Sequence, residues 1–236
     1  FEFQANYLYE WDAPKAERHL HTLSPDRELL GDLVKDVALA DLLKPEAVAE
    51  LEGQLQRTAP GHRARSPEEL AAVLRELGDL DTSELLARSE GDGAAWLATL
   101  AARGRLVERE IPTLNGPVRR WILAEEAGLY EHALAEPPPD PEAQESARQA
   151  LLRRLLATRG PLTVPAIRAR YDWPAPWLVA ALTALTQTHE TIQGHLVGQD
   201  QSEQWCDRRN LEQIRRRTLT LLRREIQPVP MATYVD

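Results

Sequence analysis

Cysteine is nearly absent from this chain, since Cys206 is alone among 236 residues. A single thiol excludes a disulfide framework and a cysteine-rich metal site. Long apolar runs are also missing, because none approaches the roughly 18 residues that a bilayer-spanning helix needs. No secretory signal is visible. These absences favour a cytoplasmic protein with no membrane partner.

Methionine is equally scarce, since Met231 is the only one and the chain opens with Phe1. Because a free-standing gene product begins with Met, we expect a piece of a longer protein. Any activity of that parent can then lie outside these residues.

Recognisable catalytic patterns are lacking as well, and there is no Gly-rich phosphate loop of the Walker type. His19 and His21 stand two residues apart and would point to different faces of a helix, so we expect no shared metal. Gln199-Asp200-Gln201 departs from the Gln-x-Gln pattern of tandem winged-helix DNA glycosylases, whose middle residue is apolar. Neighbouring arginines could lower the pKa of Cys206, but without a nearby His or second Cys we expect a buried structural thiol. The sequence thus assigns no catalytic residue, metal ligand or cofactor to this chain and leaves its enzymatic status open.

Negative charge dominates only the first part of the chain. Residues 1–135 carry 15 Lys and Arg against 25 Asp and Glu, a balance of −10, whereas the remainder carries 13 against 12, a balance of +1. An acidic surface has no bulk attraction to nucleic acid, so such a contact requires a local basic patch. The second part of the chain is where that patch is available.

Proline marks a boundary at residues 136–141, where four of six residues are Pro. Such a segment cannot continue a helix and favours an extended linker. We therefore predict a helical leader over 1–60, one domain over 61–135 and a second over 142–236. The leader includes a helix opened by Pro45, which is either a support or a face that docks a partner.

The two predicted domains have similar patterns. Each begins with three helical segments. The first of these segments starts near Ser66-Pro67 in the first domain and near Glu142 in the second. Each ends with two strand-like segments, and in the first domain Asn115-Gly116-Pro117 turns between them. The fold class is therefore mainly α with small β-hairpins: a helical leader followed by two tandem winged-helix domains.

A basic helix closes the second domain. On a helical wheel, Leu211, Ile214 and Thr218 share one side, opposite Arg216 and Arg217, which describes an amphipathic helix with an arginine-rich outer face. Arginine suits phosphate oxygens, so this face is the first candidate for DNA contact. A solvated face and a face that docks another domain are the alternatives. The candidate residues for DNA contact are Arg208, Arg209, Arg215, Arg216, Arg217, Arg223 and Arg224 on the helix, Arg119 and Arg120 on the first hairpin, and Trp205 just before the helix. For Trp205, packing in the core is the stronger expectation.

The third helix of each domain, which enters the major groove in many winged-helix proteins, offers little to read bases. The helix from Ala94 has only Arg103 at its end, and the helix from Pro174 to Thr186 has no Lys or Arg. Base readout needs Arg, Lys, Asn or Gln on that face. We therefore expect any DNA contact to be independent of sequence, which weakens the alternative of a transcriptional regulator.

An ordered set of segments resembles the C-terminal region of large helicase-related (Lhr) proteins. These segments are Tyr7 to Pro14, Leu39 to Glu46, Leu74 to Leu80, Arg120 to Ile122 with Glu125 to Gly128, Thr158 to Thr163, and Trp205 to Asp207 with the basic helix up to Val229. They run in order across nearly the whole chain. Trp11 departs from the Gly expected there, and the hairpin around His195 lacks a Gly-rich turn.

This resemblance implies a parent superfamily 2 DNA helicase that uses ATP and Mg in motor domains absent from this chain, with DNA repair as its usual context. The chain would be the family's first two winged-helix modules and their leader, in contact with single-stranded or forked DNA and with the parent's own motor domains. Three alternatives stay open: a protein-interaction or homo-oligomerisation module, a glycosylase-like enzyme, and a generic regulator.

Overall fold

The structure, a computed structural model, describes residues 43–198 and 202–225. The sequence-based expectations for the leader up to residue 42, for His19 and His21, for Gln199-Asp200-Gln201 and for residues beyond 225 lie outside the described residues.

The described elements form a leading helix and two similar series. The leading helix is α1 (Pro45–Leu55). The first series comprises α2 (Pro67–Leu77), α3 (Thr82–Ala87), α4 (Gly93–Ala102), β1 (Leu106–Ile111) and β2 (Val118–Leu123), followed by a 3-10 turn (Ala124–Glu126) and α5 (Ala127–Leu134). The second series comprises α6 (Pro141–Ala157), α7 (Val164–Arg168), α8 (Ala175–Gln187), β3 (Thr191–Gly194), β4 (Gln204–Asp207) and α9 (Arg208–Glu225). The sequence patterns predicted neither the 3-10 turn nor helix α5.

Both hairpins are antiparallel and each gains a third, single-residue strand. Strand β1 pairs with β2 over Leu106–Leu123 to Ile111–Val118, and β3 pairs with β4 over Thr191–Asp207 to Gly194–Gln204. In the first series, Leu80 and Trp121 exchange both backbone hydrogen bonds, and in the second Leu162 and Trp205 do the same. The matching bridges, each between the link that follows a first helix and a second hairpin strand, are the winged-helix arrangement repeated. The predicted fold class, mainly α with small β-hairpins, is confirmed.

The helix starts follow local chemistry. Ser66 accepts the Glu69 N–H at 3.1 Å ahead of Pro67, and Asp81 forms a capping box with Glu84. Such caps satisfy amide groups that the first turn leaves without partners. Gly78 ends α2 at φ 94°, and a Cβ there would lie 2.7 Å from the Tyr130 hydroxyl. The sequence therefore allows a sharp stop at the point where α5 packs closely.

The largest hydrophobic cluster crosses the proline-rich segment. Ile111, Ile122 and Tyr130 of the first series pack in the same cluster as Leu151 and Leu182 of the second. At the segment itself, buried Arg148 donates to the Ala133 carbonyl at 2.9 Å and to the Glu136 carboxylate at 2.5 Å. Residues 136–141 thus connect two series that share a core.

Helix α1 packs against the end of the second series. Leu43, Ala47 and Leu51 form a cluster with Leu211 and Ile214 of α9. Each fully buried leucine contributes roughly 2 kcal/mol relative to exposure. All described residues belong to one compact unit that begins at Leu43, and the domain limits at 1–60, 61–135 and 142–236 stay a prediction.

Between residues 43 and 225, leaving out 199–201, no helix combines the length and apolarity needed to cross a membrane.

Candidate nucleic-acid interface

Helix α9 is fixed at its start by two side chains. The Asp207 carboxylate accepts the N–H groups of Arg209 at 2.8 Å and Asn210 at 3.2 Å. The buried Asn210 amide then donates to the carbonyls of Leu156, Ala157 and Arg159 at 3.2, 2.9 and 2.9 Å. The last carbonyls of a helix have no hydrogen-bond partner within that helix. The Asn210 amide supplies such a partner and so connects the end of α6 to the first turn of α9.

One stripe of α9 is buried against α1. Leu211, Ile214 and Thr218 are buried, and the Thr218 hydroxyl accepts the Lys44 N–H at 3.3 Å. Leu221 packs against the same cluster while partly exposed. This packing sets the rotation of the helix and so decides which arginines face outward.

The arginines of α9 divide by position. Arg208, Arg209, Arg216, Arg223 and Arg224 are exposed, whereas Arg215 and Arg217 are partly buried. Arg217 Nη2 donates to Gln54 Oε1 at 2.5 Å, and its Nε lies 3.7 Å from Glu50 Oε1. Arg217 therefore connects α9 to α1, while the exposed arginines remain accessible from solvent.

An open groove of about 320 Å³ runs between α1 and α9. Its lining residues are Glu50 from α1 and Gln213, Arg216, Arg217, Thr220, Leu221 and Arg224 from α9. Three guanidiniums face one carboxylate, which leaves two positive charges beside hydroxyl and amide groups. Such a lining suits the phosphates of a nucleic-acid strand, because charge-assisted hydrogen bonds to phosphate are the strong ones.

Sequence analysis missed the α1 wall of this groove. Glu50 and Gln54 are more than 160 positions from Arg217, and the helix pattern of α9 shows only that its apolar stripe must pack against something. The apolar stripe of α1 is visible in the sequence, but the stripe does not show that α9 is the helix against which it packs.

Arg119 and Arg120, both predicted to contact a DNA backbone, occupy opposite environments. The Arg119 side chain is 75% exposed and lies 3.9 Å from Glu108. The Arg120 side chain is only 6% exposed and binds the fully buried Asp79 at 2.8 Å and the Arg170 carbonyl at 3.0 Å. A buried and engaged guanidinium is unavailable to phosphate, so Arg120 is removed from the candidate set. Strand alternation predicted that Arg120 faces solvent. The prediction is wrong because the pattern contains no information about the second series, which covers this side chain.

Trp205 and Cys206 are both buried. Trp205 forms the bridge to Leu162 and lies in the shared core, where it cannot stack on a base, so it too leaves the candidate set. Burial raises the pKa of the Cys206 thiol to about 12, which describes an unreactive structural cysteine.

The third helix of each series presents an uncharged outer face. In α4 this face consists of Ala94, Ala95, Ala98 and Ala102, and in α8 of Pro176, Val179, Ala180, Thr183, Ala184 and Gln187. Val179 is 45% exposed. Neither face offers the array of donors that base readout requires.

A buried polar network holds the two series together. The Asp79 carboxylate accepts from Arg120, Tyr130 and Tyr171, and Arg170 lies 2.9 Å from it. Burial raises the pKa of Tyr130 and of Tyr171 well above the usual range, and the nearby Asp79 charge adds to the effect. Both phenols therefore stay protonated and donate hydrogen bonds. The network therefore connects the first series to the second through buried hydrogen bonds.

Comparison with known proteins agrees with this architecture. A family model described as "Large helicase-related protein, winged-helix domain" matches residues 41–149. The chain is 33% identical over 241 residues to the "Lhr helicase/ probable uracil glycosylase" of Mycolicibacterium smegmatis, which aligns with 99% of this chain. It is 30% identical over 251 residues, again 99% of the chain, to the "Lhr helicase/uracil glycosylase" of Escherichia coli.

The aligned region covers 16% and 15% of the length of those two relatives, so the chain spans a small part of the curated proteins it matches. The order of helices and hairpins, the matched family model and the alignments over nearly all residues lead to one assignment. The chain belongs to the large helicase-related family, as a winged-helix region.

Proposed function

We propose that this chain is an accessory region of an ATP-dependent DNA helicase and contacts DNA without reading its sequence. The observation that carries the proposal is the α1–α9 groove, which Arg216, Arg217 and Arg224 line although the chain as a whole is acidic. The uncharged outer faces of α4 and α8 support a contact with backbone phosphates in place of bases.

In this proposal the groove receives one strand of single-stranded or forked DNA in the cytoplasm, in the context of DNA repair. ATP and Mg act in the parent's motor domains, which supply strand movement. The winged-helix region then adds affinity and orients the strand relative to those domains.

The test is a salt titration of binding to single-stranded and forked DNA. Arg216→Glu plus Arg224→Glu removes two exposed guanidiniums and leaves Arg217 bonded to Gln54. We expect weaker binding and a salt slope lower by about 1.4 on single strands and about 1.8 on duplex arms, because each phosphate contact contributes about 0.7 and about 0.9 to the slope, respectively.

The matched control is Arg103→Glu plus Arg105→Glu, which makes the same charge change at exposed positions of the first series. It should lower affinity only slightly. Equal losses in both double variants would mean that overall charge, and not the groove, governs binding, and the proposal would then fail.

A second candidate, a protein-interaction role within the same helicase, is favoured by the uncharged faces of α4 and α8. Light scattering over a concentration series checks self-association. A monomer at the highest concentration would count against a homo-oligomer.

The names of both relatives include uracil glycosylase. We infer that Asp79, the carboxylate buried between the two series, takes no part in such an activity, because it is fully buried and is bonded to Arg120, Arg170 and two phenols.

A further inference from the structure

Arg217 is the arginine of the α1–α9 groove that is in contact with the opposite wall. It lines the groove together with Arg216 and Arg224. Those two side chains are exposed, whereas Arg217 is partly buried between the two helices. Any charge that α1 places beside Arg217 therefore acts inside the groove itself.

Two side chains of α1 approach this guanidinium, and they differ in charge. Gln54 Oε1 accepts a hydrogen bond from Arg217 Nη2 at 2.5 Å. Glu50 Oε1 lies 3.7 Å from Arg217 Nε, which is beyond the range of a hydrogen bond. Because Glu50 and Gln54 are four residues apart on a helix, they project from the same side of α1. The neutral group thus makes the close contact, and the charged group stays at a distance.

The Glu50 carboxylate is weakly held. Its side chain is 56% exposed, and within residues 43–198 and 202–225 no group donates a hydrogen bond to it. An exposed ion pair shifts an equilibrium constant by about fivefold or less. Glu52, in contrast, is fixed by the Gly160 N–H at 3.0 Å. Glu50 is therefore the carboxylate of this pair that another anion can displace.

Arg217 keeps the capacity to bind a further acceptor. Its Nη1 lies 3.5 Å from both the carbonyl and Oε1 of Gln213, at the outer limit of a hydrogen bond. Its short hydrogen bond, to Gln54, goes to a neutral oxygen and leaves the positive charge in place. A phosphate oxygen forms shorter, charge-assisted hydrogen bonds with a guanidinium. Such a bond is stronger than the ion pair that Glu50 makes at 3.7 Å.

We propose that the α1 wall sets the DNA affinity of the groove through Arg217, with Glu50 as a counter-ion that a backbone phosphate displaces and Gln54 as the residue that positions the guanidinium without neutralising it. This role rests on the proposed function. Glu50 lowers the affinity, because the strand must first separate the Arg217–Glu50 pair. Gln54 raises it, because a side chain that is already oriented loses less conformational freedom on binding.

The first test measures binding of a single-stranded oligonucleotide to the 236-residue chain by fluorescence anisotropy at low salt. Glu50→Gln should bind about two- to fivefold more tightly than wild type, the range that an exposed ion pair spans. Glu68→Gln is the matched control, since it removes an exposed carboxylate outside the groove lining. Its gain should be smaller. Equal gains would mean that overall charge sets the affinity, and the role of Glu50 would be overturned.

A double-mutant cycle separates displacement of Glu50 from its direct repulsion of the strand. In an Arg217→Gln background Glu50 has no guanidinium to pair with, so Glu50→Gln should gain no more than Glu68→Gln does. Thermal unfolding checks that each variant is folded. The same gain from Glu50→Gln in both backgrounds would show repulsion alone and would overturn the proposal.

Gln54→Glu tests the positioning role without removing a contact. Glutamate keeps a hydrogen bond to Arg217 and adds a negative charge, so the unfolding temperature should stay the same or rise. DNA binding should nevertheless weaken by about two- to fivefold, because Arg217 is then neutralised. A residue that only connects α1 to α9 would leave DNA binding unchanged, and that result would refute the role of Gln54.

Failure of the proposed function gives a different pattern in the same assay. It requires that Arg216→Glu plus Arg224→Glu leave DNA binding intact. If that double variant loses binding while Glu50→Gln and Gln54→Glu match wild type, the groove binds DNA and only the roles of the α1 wall fail. Absence of DNA binding in wild type overturns both.

Discussion

The Asp79 side chain connects the first series to the second. Its carboxylate is fully buried between the two series and has four partners, of which Arg120 and Tyr130 come from the first series and Arg170 and Tyr171 from the second. A buried charge is costly to leave without its counter-charge, so each partner depends on the others. The sequence offered no sign of this role, since Asp79 appears there as one acidic residue after a helix-ending glycine.

Asp79→Asn should lower the free energy of unfolding by about 3–5 kcal/mol, because two guanidiniums lose a buried counter-charge. Asp172→Asn removes the carboxylate of the accessible Arg168–Asp172 pair and should cost less than about 1 kcal/mol. Urea denaturation of both variants measures the difference. Similar losses would show that the Asp79 network contributes little beyond an ordinary surface pair.

At the scale of elements, α9 illustrates what a helical pattern can and cannot predict. Its apolar stripe and its basic outer face are visible in the sequence, and Leu211 and Ile214 are buried as that pattern indicates. The partner of the stripe, α1, and the joint between Asn210 and the end of α6 depend on contacts between distant parts of the chain. A helical wheel has no information about either.

Asn210→Ala should lower the free energy of unfolding by about 1–3 kcal/mol, since carbonyls at the end of α6 lose a buried donor. Asn115→Ala, at an exposed hairpin turn, should change it by no more than about 0.5 kcal/mol. Chemical denaturation followed by circular dichroism compares them. If the two variants match, water replaces the Asn210 amide without loss.

For the whole molecule, the shared core is the dominant feature. Tyr130 and Ala133 of α5 pack into the cluster that also holds the apolar face of α6, although residues 136–141 looked like a spacer between separate domains. Proline stops a helix but does not keep its neighbours apart, which is why the composition of that segment could not reveal the packing across it.

Ile122→Ala should therefore weaken both series. Truncation of this fully buried side chain costs roughly 2–5 kcal/mol, and hydrogen exchange should show a loss of amide protection in α8 as large as in α2. Leu86→Ala, at a side chain that is 42% exposed, is the control and should leave both helices protected. A loss confined to α2 would mean that the two series unfold independently.

The sequence by itself determined the order of most helices and hairpins, the mainly α class and the amphipathic character of α9. These features depend on residue spacing, caps and turns within short stretches, which a linear pattern contains. The tertiary structure alone decided that Arg120 is buried and that Arg217 connects α9 to α1, whereas the burial of Trp205 agrees with the expectation from the sequence. Each of these outcomes depends on which distant surface covers a side chain, and burial of that kind is a property of the packed molecule.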